Sequence, residues 1–184
     1  MSLAVRRKRR IPFERGLTFE KVWAVMKETE KQMKETDRKI GELSNRFGEL
    51  AEHLVAPAIH ERFNELGYHF SAAAPGGYII RDISSDKILS QVDILLENDD
   101  YIMAVEVKAT VHIKDIEHHI KRLEILKEYR SKRHDTRIIR GAVAGAIFGN
   151  AEKQAVIEAG FYVLVQSGDT MKFDIPEGFV PREF

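Results

Sequence analysis

From Phe19 onward an apolar residue recurs every seventh position, at Phe19, Met26, Met33, Ile40 and Phe47. Three positions further on stand Val22, Thr29, Thr36, Leu43 and Leu50. These are the a and d sites of a heptad, and the residues between them are mostly Lys, Glu, Gln, Asp and Arg, good helix formers for an exposed face. The pattern predicts a long helix from about residue 18 to the mid-fifties, with Thr18 as its N-cap. A stripe this narrow, with two threonines at d, calls for a partner helix, so a dimer is expected; the alternative is packing along its own domain. Trp23, at an e position, is expected to join that packing. Pro57 lacks an amide proton and is expected to kink or end the helix, with a second helical stretch from Ala58 to Leu66 stopped at Gly67.

After Gly67 the pattern shortens to strand-like runs at Tyr78–Ile83, Gln91–Glu97 and Tyr101–Ala109. A helix over Lys114–Lys132 follows, with Ile116, Ile120, Leu123 and Leu126 or Lys127 on its inner side. Then come an apolar strand at Gly141–Phe148, a helix at Asn150–Ala159 closed by Gly160, and a strand at Phe161–Gln166. The glycines of the run 141–149 match neither a P-loop nor a dinucleotide fingerprint and fit a buried strand with close backbone approach. The end of the chain, with Pro176 and Pro181, reads as an irregular edge. This order predicts an α/β fold with a mixed β-sheet flanked by helices.

Charge alters the picture only when resolved by segment. The 184 residues carry 29 Lys+Arg and 29 Asp+Glu, a net charge of zero. Residues 1 to 16 hold six basic side chains against Glu14, which leaves a net of −5 for the rest. Residues 121 to 140 hold eight basic against three acidic side chains, among them Lys121, Arg122, Arg130 and Arg133. Such a cluster suits a phosphate-tracking surface, since counterion release rewards Lys and Arg along a nucleic-acid backbone; a solvated helix face is the alternative. No apolar run approaches the ~20 residues of a membrane span. With no cysteine and no secretory signal pattern, a cytoplasmic setting is expected.

The chemistry concentrates in Gln91–Ala109. Asn98-Asp99-Asp100 is turn-prone, and a turn centred between Asp99 and Asp100 pairs Leu95 with Ala104 and Asp93 with Glu106. Alternation then sets Asp93, Glu106 and Lys108 on one side, with Val92, Ile94, Leu96, Met103, Val105 and Val107 forming a core face on the other. Two opposed carboxylates repel unless a cation lies between them. Mg²⁺ or Mn²⁺ suits such hard oxygen ligands and activates bound water, and Lys108 would steady the attacking water or the developing negative charge. The alternative is a solvated polar face with an ordinary salt bridge.

Asp93, a turn, then Glu106-Val107-Lys108 followed by a helix resembles the PD-(D/E)XK, or restriction-endonuclease-like, nuclease superfamily. Upstream, Gly48-Glu49-Leu50-Ala51-Glu52 and Phe63-Asn64-Glu65-Leu66-Gly67-Tyr68 resemble its first core helix. The chain is also similar to prokaryotic proteins that join an N-terminal coiled coil to such a domain. The resemblance covers about residues 46 to 166; together with the charge count and the heptads, it gives an expected basic tail at 1–16, a coiled-coil helix at 17–45 and a nuclease-like domain at 46–184. It implies Asp93 and Glu106 as metal ligands with the Val107 carbonyl as a third, Lys108 as the catalytic lysine, and Glu52, in competition with Glu49, as a helix-borne acid. The implied activity is divalent-metal-dependent hydrolysis of DNA phosphodiesters by a homodimer. The chain has Val92-Asp93 where the family name has Pro-Asp. Convergence of Glu52, Asp93 and Glu106 on one point is the geometry this reading requires; a nuclease-like fold serving only as a nucleic-acid-binding or assembly module is the alternative. His112, His118 and His119 are expected at the surface, and Lys153 or Gln154 near DNA.

Overall fold

The computed structural model describes residues 19–184, with backbone alone at 19 to 23, 26 and 42 to 51. The basic tail and Thr18 lie outside these residues, as do the side chains of Phe19, Val22, Trp23, Met26, Leu43, Phe47, Glu49 and Leu50. The chain divides into two compact units, one ending at Ser44 and the other Asn45–Phe184.

Helix α1 is Phe19–Glu65. Pro57 lies inside it, so the expected break into two helices does not occur. The lost hydrogen bond is offset by packing on both sides of the proline, where Ala56, Ile59 and Phe63 are all buried against the sheet. In the first unit, Val25, Met33 and Ile40 are 65%, 62% and 57% exposed, a solvent-facing apolar set on a charged helix.

In the second unit, β1 (Ala72–Arg81), β2 (Ile88–Glu97) and β3 (Tyr101–Thr110) form an antiparallel meander. Helix α2 (Ile113–Ser131) leads to β4 (Ile138–Ile147), and α3 (Asn150–Glu158) leads to β5 (Tyr162–Ser167). Strands β3, β4 and β5 pair in parallel, and β6 (Thr170–Phe173) closes the far edge antiparallel to β5. The sheet order is β1-β2-β3-β4-β5-β6, so the expected mixed α/β sheet is present. The expected irregular end begins only after β6.

The hairpin register is the expected one: Leu95 pairs with Ala104 and Ile94 with Val105. The Asn98 side-chain oxygen accepts the amide protons of Asp100 and Tyr101, which closes the turn. Strand β1 starts earlier than expected because Ala72-Ala73-Ala74-Pro75-Gly76-Gly77 lacks the branched and aromatic residues that mark strands, yet still pairs along β2.

Both faces of the sheet are core. Ala56, Ile59 and Phe63 of α1 cover Ile94, Leu96, Met103, Val105, Ala142 and Leu164. On the other face, Leu95, Ile102, Ala104 and Val143 pack with Ile116, Leu123 and Leu126 of α2 and Val156 of α3. The side carrying Asp93 and Glu106 is apolar along most of its length and covered by a helix, as a sheet flanked by helices requires. Val92 also joins the α2-side cluster rather than Ile94 and Leu96. Gly141 lets α2 approach β4, for a Cβ there would stand 2.5 Å from the Phe161 ring and 3.0 Å from Leu123.

Candidate functional site

Strand β2 delivers Asp93 at a break in sheet regularity. On one side, β1 slips register between Pro75, which pairs with Ile94, and Tyr78, which pairs with Val92. Gly76 and Gly77, at φ +85° and +96°, fill this bulge opposite Asp93, a backbone that side chains other than glycine rarely adopt. His53 of α1 stands against the bulge, with Nε2 3.1 Å from where a Gly76 Cβ would lie. On the other side, Asp93 Oδ2 accepts the Val107 amide proton at 2.8 Å, so a side chain takes a donor that a continued ladder would use. The pairing of β2 with both neighbours is thus interrupted at Asp93, whose side chain bonds to β3.

Strand β3 supplies Glu106 and Lys108. The Lys108 ammonium lies 2.7 Å from Glu106 Oε1, 3.4 Å from Asp93 Oδ2 and 3.2 Å from the Val107 carbonyl oxygen. Three of the expected metal-ligating oxygens therefore converge on one cationic group. Asp93 is 7% exposed and Glu106 2%, whereas the Lys108 side chain is 33% exposed, so solvent reaches the cluster from the lysine side. Beside it, a cavity of about 500 Å³ is bounded by α1 at Leu54 and Val55, by Lys108 and Ala109, and by the β5–β6 turn at Asp169 and Thr170.

Helix α2 adds two residues, three positions apart on one face, that the sequence reading did not bring to this site. Arg122 donates to Glu106 Oε2 at 2.5 Å. His119 is fully buried; its Nε2 donates to the Ala104 carbonyl at 3.2 Å, and its Nδ1 faces Glu106 Oε2 at 3.7 Å without a hydrogen-bond partner. The expectation of a surface His119 is thus corrected: the Ala104 carbonyl satisfies one ring nitrogen and Phe161 packs edge-on at 5.1 Å, which makes a core position tolerable. His112 and His118 are exposed as expected.

The electrostatics follow from burial. Desolvation, reinforced by Glu106, pushes the Asp93 carboxyl above its usual range, against Lys108 and the Val107 amide. For Lys108, burial works to lower the pKa, but Glu106 and Asp93 outweigh it and hold the ammonium protonated. Burial drives His119 down to about 4, so the ring is neutral at physiological pH. Between pH 6.5 and 4 the unfolded chain therefore binds a proton at this residue that the folded chain refuses, and stability falls as pH falls through that window. The expected loss is about 3 kcal/mol. Asp93, with its raised pKa, acts in the opposite direction. Urea unfolding of wild type and His119→Leu at both ends of the window isolates the histidine; the variant should lose most of the downward slope, and an unchanged slope would refute the assignment.

Glu52 lies half-buried on α1. Among the described residues, no three of His, Cys, Asp and Glu gather as a metal-holding group, so Glu52 is not brought together with Asp93 and Glu106. Of the basic residues expected to contact nucleic acid, Arg122 pairs with Glu106, and Arg130 pairs with Glu97 at 2.6 Å and Asp135 at 3.4 Å. Lys121 and Arg133 are exposed, with the Arg133 guanidinium 3.5 Å above the Tyr129 ring. Lys153 pairs with Asp174 at 2.5 Å, and Gln154 is exposed. Among the described residues no helix is long and apolar enough to cross a membrane.

No protein-family model and no curated protein matches the chain. Among solved structures it is similar to the small subunit of the heterodimeric restriction endonuclease R.BspD6I, with 17% sequence identity and a TM-score of 0.32. The similarity covers 58% of this chain and spans 59% of that one. The functional reading therefore rests on the geometry of this chain's own residues.

Proposed function

We propose that the second unit is a restriction-endonuclease-like domain that hydrolyses DNA phosphodiester bonds with Mg²⁺ or Mn²⁺. The observation that carries this reading is the convergence of Asp93 Oδ2, Glu106 Oε1 and the Val107 carbonyl oxygen on one cationic group, at the end of an otherwise apolar sheet. Two carboxylates and a carbonyl form a hard-oxygen donor set that fits either ion. When bound, the ion would acidify a water and offset charge on the phosphoryl group. The protein's own groups do the rest. Val107 N–H fixes the Asp93 carboxylate, Arg122 fixes the far oxygen of Glu106, and the Lys108 ammonium supplies a positive charge beside the reacting phosphate. Plasmid, duplex, single-stranded and branched substrates incubated with and without Mg²⁺ or Mn²⁺ test the reading. Cleavage that requires the ion and stops with chelator is expected; no cleavage on any substrate would remove the enzymatic claim.

Exposed Lys121 and Arg133 would track the DNA backbone. Replacing either with alanine should weaken binding across sequences alike and lower the slope of log affinity against log salt by about one. Fluorescence anisotropy over a salt series checks this; unchanged slopes would place the DNA path elsewhere. The N-terminal helix would join two copies through its heptad, for which the exposed Met33 and Ile40 at a positions are the support. Met33→Lys with Ile40→Lys should convert a dimer to a monomer in sedimentation velocity.

A second reading, binding without cleavage, is favoured by the pairing of Glu106 with both Lys108 and Arg122. It predicts salt-sensitive DNA binding that survives Asp93→Ala, with no cleavage by wild type.

A further inference from the structure

The two buried carboxylates of the site are already neutralised from within. Glu106, 2% exposed, is held at both oxygens, Oε1 by Lys108 at 2.7 Å and Oε2 by Arg122 at 2.5 Å. Asp93 shares the same lysine at 3.4 Å. Two acids and two bases give no net charge. This balance lets the site fold without a metal ion, because buried carboxylates left uncompensated are costly. It also sets a condition on anything that binds there: a divalent cation adds two positive charges to a neutral cluster.

The two internal cations are not equivalent. Lys108 stands among the three oxygens that would face the ion and has a partly exposed, flexible stem, so it can withdraw. Arg122 lies on the far oxygen of Glu106 and is anchored on α2, next to buried Leu123 and one turn from buried Leu126. It need not move when an ion arrives, so its charge continues to oppose the ion through the shared carboxylate. His119, the other α2 group facing that oxygen, stands 3.7 Å away without a hydrogen bond to it.

Resting on the nuclease reading above, we propose that Arg122 is a positioning residue that holds Glu106 in place while keeping cation affinity low until a substrate phosphate restores charge balance. Metal and nucleic acid then bind cooperatively, each raising the affinity for the other. A residue that merely supported a ligand would have the opposite effect on removal, since its loss would loosen Glu106 and weaken the ion.

The test is Mn²⁺ binding to the full chain, followed by loss of the free-ion paramagnetic resonance signal, with and without a phosphorothioate oligonucleotide that resists cleavage. Arg122→Gln should bind Mn²⁺ roughly fivefold tighter than wild type, and Arg122→Lys, which keeps the charge, within about twofold. The oligonucleotide should tighten Mn²⁺ binding more in wild type than in Arg122→Gln. If Arg122→Gln does not fold, as judged by circular dichroism, Arg122→Met preserves the packing of the side-chain stem and carries the same expectation. Unchanged or weaker binding in the charge-free variant, while wild type binds Mn²⁺ in a manner lost in Asp93→Asn, would overturn the role of Arg122 and leave the nuclease reading standing. Absence of binding in wild type and variant alike would overturn both.

Discussion

Replacing Asp93 with asparagine is expected to reduce metal-dependent cleavage by at least about a thousandfold, equivalent to roughly 4 kcal/mol of transition-state stabilisation. Asparagine is the informative choice because its side-chain oxygen can still accept the Val107 amide proton, which Asp93 takes at 2.8 Å. Alanine would orphan that buried donor, at a cost of about 1 to 3 kcal/mol, and would mix a folding defect with a chemical one. Asparagine removes only the charge. Since burial and Glu106 already disfavour the ionised form of Asp93, its loss should not lower the melting temperature. Lys108→Ala should lose cleavage comparably while retaining Mn²⁺ binding, because the ammonium is a neighbour of the ion's oxygens and not one of them. Residual cleavage near wild type in Asp93→Asn would sink the assignment of this site.

The largest stability effect is expected at Phe63→Ala, about 3 to 4 kcal/mol, lowering the melting temperature by roughly 10 °C. Phe63 is fully buried where α1 crosses the sheet. Its ring meets Phe173 at 5.1 Å, Tyr162 at 5.3 Å, Tyr68 at 5.7 Å and Phe70 at 6.0 Å, mostly edge to face. Truncation leaves a cavity among four rings, two of which, Tyr68 and Tyr162, are tied to each other by a hydroxyl hydrogen bond of 2.7 Å. Leu54→Ala, on the same helix but 70% exposed, serves as the control and should change stability by less than about 0.5 kcal/mol. A loss below about 1 kcal/mol at Phe63 would mean that α1 is not anchored as described.

The contrast between legible and hidden features has physical causes. The β2–β3 register could be read because a turn cluster and two alternating strands specify it jointly, and a slip of one residue would turn every side chain over. That register brought Asp93, Glu106 and Lys108 together before any coordinates. The path of α1 through Pro57 was not legible, because the decisive contribution is tertiary: Ile59 and Phe63 bury against residues of β2 to β6, from Ile94 onward, more than thirty residues away in sequence. The early part of β1 was hidden by alanine, proline and glycine, although its two glycines permit the bulge beside Asp93. His119 and Arg122 looked like members of a basic, solvated helix. Spacing from Ile116 and Leu123 was the available signal, for residues 116, 119, 123 and 126 share the inner face of α2. The polarity of histidine concealed it, and only the Ala104 carbonyl and Glu106 explain its burial. Segmental charge counting likewise could not show that Arg122 and Arg130 pair with the carboxylates of Glu106 and Glu97.

The central claim is that Asp93, Glu106 and the Val107 carbonyl share a divalent cation. Crystals of the wild-type chain soaked in Mn²⁺, with anomalous scattering recorded near the manganese edge, test it most directly. An ion bonded to one oxygen from each of these three groups at about 2.1 Å is expected, with the Lys108 ammonium withdrawn from between the carboxylates. Saturating Mn²⁺ with no anomalous peak there, and Lys108 still seated 2.7 Å from Glu106, would contradict it.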